Sequence, residues 1–286
     1  MSCPRDRHQP APSGRKTGRA RAGVAALVAL PFALGLACAK PAFLQGTDEE
    51  RFQRALAHRD LGADHLQHGD NALALRELLL SEEINPKDPA THAGLAEAYR
   101  RQGHLAEAEQ HLLRCIALAT NQGAAGNRST IQLARLNLSS LYVQMQRYPQ
   151  SIEQSQMLAN DPTFAAPWLA LSNQGWAEYK LGRTEEARQT LGLALQYKSD
   201  FWRALLNLGI LEAGTGHQAE ALPLFNRALA QKPGPFAEAE INYRIAEICV
   251  SMGERESARR HLMAAVQTKP SGEWGKRSED YLKVLR

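Results

Sequence analysis

Trp202–Pro233 reads WRALLNLGILEAGTGHQAEALPLFNRALAQKP, and its spacing decides the fold. Numbered from Trp202, it places Leu208 and Gly209 at positions 7 and 8, Gly216 at 15, Ala221 at 20, Phe225 at 24, Ala228 at 27 and Pro233 at 32. Small residues at 8, 20 and 27 let two antiparallel helices approach closely. Gly216 turns the chain between them, and Pro233 cannot continue the second helix. Such a unit cannot bury its apolar face alone, so the reading depends on whether the pattern recurs.

It recurs in registers starting at 55, 89, 132, 168 and 239. The first carries Gly62, Ala74, Leu78 and Pro86, and the second Leu95, Ala96, Tyr99, Gly103, Ala108 and Leu112. In the third, Leu138, Ser139 and Tyr142 keep the pattern, whereas Ser151 and Ser155 stand where alanine and an apolar residue are usual. Gly175, Gly182, Ala187, Leu191 and Ala194 mark the fourth; Ala246, Gly253, Ala258, Leu262, Ala265 and Pro270 mark the sixth. The pattern resembles the tetratricopeptide repeat (TPR), a 34-residue helix–turn–helix unit. The fold expected is all-α: an α-solenoid of about six TPR units over 49–271, capped by an amphipathic C-terminal helix over 272–286. Asn121–Thr130 reads as a loop between units two and three, and Pro223 as lying near the start of a helix.

The net charge of +4 comes from the N-terminus. Residues 1–37 hold six basic side chains and one acid; the rest carry 28 basic and 29 acidic, a net charge of −1. Nucleic-acid binding therefore lacks its usual electrostatic driver. Basic residues up to Arg21 precede the apolar run Val24–Leu36, thirteen residues that would rise only about 20 Å as a helix. That is too short to span a bilayer and reads as a signal peptide over 1–37. Leu36-Ala37-Cys38 resembles the end of a bacterial lipobox, with Gly35 departing from its usual Leu, Val or Ile. The resemblance implies a palmitate-type acyl anchor on Cys38, a tether over 38–48, and an outer-membrane position facing the periplasm. The other reading is an ordinary signal peptide cut near Ala37 or Ala39.

No catalytic constellation is present: G-x-x-x-x-G-K-[ST], H-E-x-x-H and G-x-S-x-G are all missing. The chain is expected to be no enzyme and to need no cofactor. Among the nine histidines, His58, His65 and His68 group in the first helix and His104 with His111, but neither group completes a tetrahedral set. Cys115 and Cys249 read as buried apolar side chains in distant units.

Function is then expected on a surface. In TPR arrays the first helix of each unit lines a groove. Asn137, Asn173 and Asn207 fall at position 6 of three successive units, where an amide column could bond a peptide backbone. Trp176, Tyr179 and Tyr243 would supply anchors beside them, and Arg203 and Arg244 positive charge. The other reading of the asparagines is inter-repeat packing. A lipobox-like cysteine, six TPR units and a terminal helix together resemble the type IV pilus pilotins (Tgl/PilF/PilW type). That resemblance implies a protein partner, a secretin subunit or another outer-membrane assembly component, whose multimerisation the scaffold assists. The alternative is a generic periplasmic TPR adaptor for cell-wall or other outer-membrane machinery.

Overall fold

The computed structural model describes residues 41, 45–123 and 125–285; the targeting segment and Cys38 lie outside them. Every regular element among the described residues is helical. Six antiparallel pairs follow one another: α1 (Asp48–His68) with α2 (Asn71–Ile84), α3 (Pro89–Gln102) with α4 (Leu105–Asn121), α5 (Arg128–Gln144) with α6 (Tyr148–Ala159), α7 (Pro167–Lys180) with α8 (Thr184–Tyr197), α9 (Trp202–Gly214) with α10 (Gln218–Ala230), and α11 (Pro235–Ser251) with α12 (Arg255–Thr268). A last helix, α13 (Glu273–Val284), packs on both α11 and α12. None of these helices is long and apolar enough to cross a membrane.

Local chemistry sets the ends. Thr47 and Glu50 form a capping box at α1, each side chain bonding the other's backbone N–H. Asp88 accepts from the amides of Ala90 and Thr91 at the start of α3, with Pro89 in the first turn, where its missing N–H costs nothing. Five of the six hairpins turn on a glycine at position 15 with positive φ: Gly69, Gly103, Gly182, Gly216 and Gly253. The third uses Gln146 there, at φ 59°.

Within each pair the helices touch where the sequence is smallest. Ala74, Ala108, Ala187, Ala221 and Ala258, all at position 20, are 0% exposed. A Cβ on Gly209 would lie 2.7 Å from Phe225, and one on Gly175 2.7 Å from Leu191, so these glycines are required by close approach. The exception is the third unit. Ser151 and Ser155 are buried there with no hydrogen-bond partner for either hydroxyl. That leaves an orphaned polar group costing about 1–3 kcal/mol in place of a methyl contact.

Between pairs, each helix packs on the next in sequence, and every odd-numbered helix also touches the following odd one. The odd helices therefore form a continuous layer. Apolar clusters succeed one another along the chain, each bridging neighbouring units, in place of one central core. Cys115 and Cys249 are buried thiols in different units, and burial pushes Cys115 up to about 11.

Two local expectations need correction. The loop between units two and three is shorter than Asn121–Thr130, because α4 runs to Asn121 and α5 begins at Arg128. Pro223 lies inside α10, in its second turn, where it removes one helical hydrogen-bond donor.

Candidate functional site

The odd-helix layer opens into a cleft of about 320 Å³ where α7, α9 and α11 meet. A helix presents residues three and four apart on one side. That places Asn173 and Trp176 together on α7, Trp202, Leu206 and Asn207 on α9, and Phe236 and Glu240 on α11. A second hollow of about 180 Å³ continues it toward α5, lined by Asn137, Ser140 and Phe201, and sharing Asn173 and Arg203 with the first.

The amides are held from behind. Asn173 Nδ2 donates to Ser139 Oγ of the preceding unit at 2.8 Å, and Asn207 Nδ2 donates to Ser172 Oγ at 3.4 Å. An amide has two donor hydrogens and an acceptor oxygen, so each keeps a second N–H and its Oδ1 after that bond. Packing between units and a fixed polar lining are thus one arrangement. Cations flank the aromatics: Arg203 lies 5.0 Å from the Trp202 ring and Lys180 Nζ 5.5 Å from Trp176. The one carboxylate of the larger cleft, Glu240, is pushed up from its ordinary range by burial, against the opposing pull of Arg244 at 3.5 Å. Exposed and half-buried aromatic rings beside oriented amides suit an extended polypeptide with apolar side chains.

Of the residues singled out in the sequence, Asn137, Asn173, Trp176, Arg203 and Asn207 come together here. Tyr179 does not line either hollow; it packs among the buried residues of α7 and α9, its hydroxyl against Gly214. Tyr243 is only 7% exposed, its ring 5.2 Å from Trp274 and 6.2 Å from Tyr281. Arg244 stacks 4.7 Å from Trp274, pairs with Glu240 and Glu247, and lines a separate hollow of about 220 Å³ between α9 and α11. For Tyr243 the physical reason is α13, which folds over α11 and covers that part of its face; Tyr179 is instead taken up between α7 and α9. The cleft also takes in Trp202, Leu206, Phe236 and Glu240, which position 6 of the repeat does not point to. Because α11 begins at Pro235, four residues before its register start, Phe236 gains a place on the helix face.

The histidines regroup as well. His58 bonds Glu77 at 2.7 Å, His65 and His68 lie near Asp70 and Asp64, and His104 lies near Glu107. His111 meets His92, Nδ1 to Nδ1 at 3.0 Å, and burial holds its imidazole below the ordinary range.

These observations define a helical-repeat protein built to present a groove. Three tetratricopeptide-repeat family models match it, over residues 89–114, 172–235 and 239–271. The chain is a tetratricopeptide repeat protein, and such repeats are protein-interaction modules. No curated protein matches it by sequence. Among solved structures it is similar to PilF of Pseudomonas aeruginosa (15% identity, 80% of this chain and 98% of that one, TM-score 0.61). It is also similar to PilW, described as a widely conserved type IV pilus biogenesis factor (17% identity, 79% and 98%, TM-score 0.65). Cut9 in its complex with Hcn1 aligns over 82% of this chain and 43% of its own (18% identity, TM-score 0.67). At these identities the likeness is one of fold.

Proposed function

We propose that this protein is a non-enzymatic scaffold of pilotin type, lipid-anchored through Cys38 on the periplasmic face of the outer membrane. It holds a secretin subunit by an extended apolar segment laid across α7, α9 and α11. The observation that carries the reading is the cleft itself: Trp176, Trp202 and Phe236 around two amides already oriented from behind. The similarity of fold to PilF and to PilW, a type IV pilus biogenesis factor, over nearly their whole lengths supports the type IV pilus setting of this reading. An acyl anchor would confine bound subunits to two dimensions and raise their effective concentration beside one another.

The test is in-cell photocrosslinking from benzoylphenylalanine at position 236, with position 79 on α2 as control. Adducts containing secretin from 236 and not from 79 are expected, together with palmitate labelling lost in Cys38→Ser. The Trp176→Ala variant removes an aromatic anchor of about 2 kcal/mol and should weaken capture about 30-fold without changing helicity. Adducts with a cell-wall enzyme in place of secretin would replace the pilotin reading by the periplasmic adaptor. Adducts from 79 alone would move the binding face off the cleft.

A further inference from the structure

Glu82 of α2, His92 of α3 and His111 of α4 bring one ligand atom each to a single point at the junction of units one and two. His92 Nδ1 lies 3.0 Å from His111 Nδ1 and 3.5 Å from Glu82 Oε1, and the third side, His111 Nδ1 to Glu82 Oε1, is 4.0 Å. A triangle of those sides has its equidistant point about 2.1 Å from every corner, within the ~2.0–2.2 Å that Zn²⁺ keeps from imidazole nitrogen and carboxylate oxygen. We propose that Glu82, His92 and His111 form a binding site for a borderline divalent metal, Zn²⁺ foremost, which clamps the first two repeats together.

The surroundings fit a ligand set. His92 Nε2 lies 3.0 Å from the carbonyl oxygen of Pro86. A carbonyl can only accept, so that nitrogen carries the proton and Nδ1 is left with its lone pair, turned toward His111 Nδ1 at one corner of the triangle; metal binding would re-aim it toward the centre. A metal-ligating histidine is held by a backbone acceptor in the same way. His111 meets His92 end to end, Nδ1 to Nδ1 with ring centroids 5.3 Å apart, and the Tyr99 ring stacks 5.4 Å from it, which fixes its orientation. His92 is buried, while the Glu82 side chain is 29% exposed and leaves an entry path and a fourth position for water. Two imidazoles and one carboxylate favour zinc, copper or nickel over calcium or magnesium. Without metal, one proton on His111 Nδ1 satisfies the contact with His92; binding moves that proton to His111 Nε2. The clamp would tie α2 to α4, which otherwise make little contact.

The full chain, stripped with chelator, would be titrated with Co²⁺ while following visible absorption, then with Zn²⁺ by calorimetry and thermal melting. One equivalent is expected, with the intense bands of four-coordinate cobalt and a rise in Tm on adding zinc. His111→Gln keeps an amide donor toward His92 and so keeps the fold, checked by circular dichroism, but should weaken binding about 100-fold; Glu82→Gln should weaken it about 10-fold. The paired substitution His65→Ala and His68→Ala should leave the affinity unchanged. Failure to saturate below about 100 µM Zn²⁺, or binding that survives His111→Gln and disappears with His65 and His68, would overturn the site.

Discussion

Replacing Gly209 with alanine adds one methyl group at a close contact between the two helices of the fifth unit. The new Cβ would sit 2.7, 2.8 and 3.1 Å from Cε1, Cδ1 and Cζ of Phe225. Carbon atoms in contact prefer about 3.5–4.0 Å, so three ring atoms are overlapped at once. The Phe225 ring is 0% exposed and cannot swing into water. Overpacking a filled core costs about 1–3 kcal/mol, and three overlaps with a rigid ring belong at the upper end. Alanine's better helix propensity returns about 1 kcal/mol, leaving a net loss of about 1–2 kcal/mol. Gly192, on α8, has no heavy atom within 4 Å of such a Cβ. There the same substitution should stabilise by about 1 kcal/mol. The assay is urea unfolding by far-ultraviolet circular dichroism, with amide hydrogen exchange of α8–α10, because a linear array opens locally. A Phe225→Ala background removes the ring, and in it Gly209→Ala should turn stabilising. Equal shifts for Gly209→Ala and Gly192→Ala, or a loss that persists without the ring, would refute the contact as the cause.

Two more outcomes follow from the same geometry. Gln146→Gly relieves the one non-glycine position-15 turn, at φ 59°, and should stabilise α5 and α6 by about 0.5–1 kcal/mol in hydrogen exchange; no gain would mean the turn stores no strain. Glu212 is buried and held below its ordinary range chiefly by the Arg188 hydrogen bonds at 2.7 and 3.1 Å, a contribution present above the unfolded carboxylate pKa and lost as pH falls through the depressed one. Arg188→Ala should then cost about 1–3 kcal/mol at pH 7, a gap that narrows in urea melts below about pH 4 and would stay constant if the pairing contributed nothing.

The array was legible because close helix packing constrains residue size at fixed intervals. Gly62 faces Leu78, Gly175 faces Leu191 and Gly209 faces Phe225, each pair sixteen residues apart, and those intervals survive in the linear sequence. The asparagine column was legible for the same reason, since Asn173 and Asn207 serve inter-unit packing. What covers a face was not. Tyr243 stands where an open groove is expected, and only the return of α13 decides otherwise. The His92–His111 pairing follows an interval set by the repeat itself. His58 with Glu77, His92 with His111, Arg135 with Gln154 and Asn242 with His261 are all nineteen residues apart, bonded across one hairpin. Grouping histidines by nearness along one helix overlooks that interval.

The cleft residues differ energetically from the repeat residues around them. Phe225, Leu191 and Leu262 lose their water on folding, and each is stabilised by roughly 1.5–3 kcal/mol in return. Phe236 keeps 62% of its surface in water, beside the half-buried rings of Trp176 and Trp202. A single exposed aromatic needs no explanation, but one exposed and two half-buried rings around one hollow are not scattered. Folding of this chain does not recover that exposed surface, whereas a bound polypeptide would. The amides sharpen the contrast: anchored through one N–H to Ser139 and Ser172, they are already oriented, so a ligand need not order them. The array's regularity therefore serves to hold one irregular place still, and affinity should depend on the few side chains there that the repeat pattern leaves free.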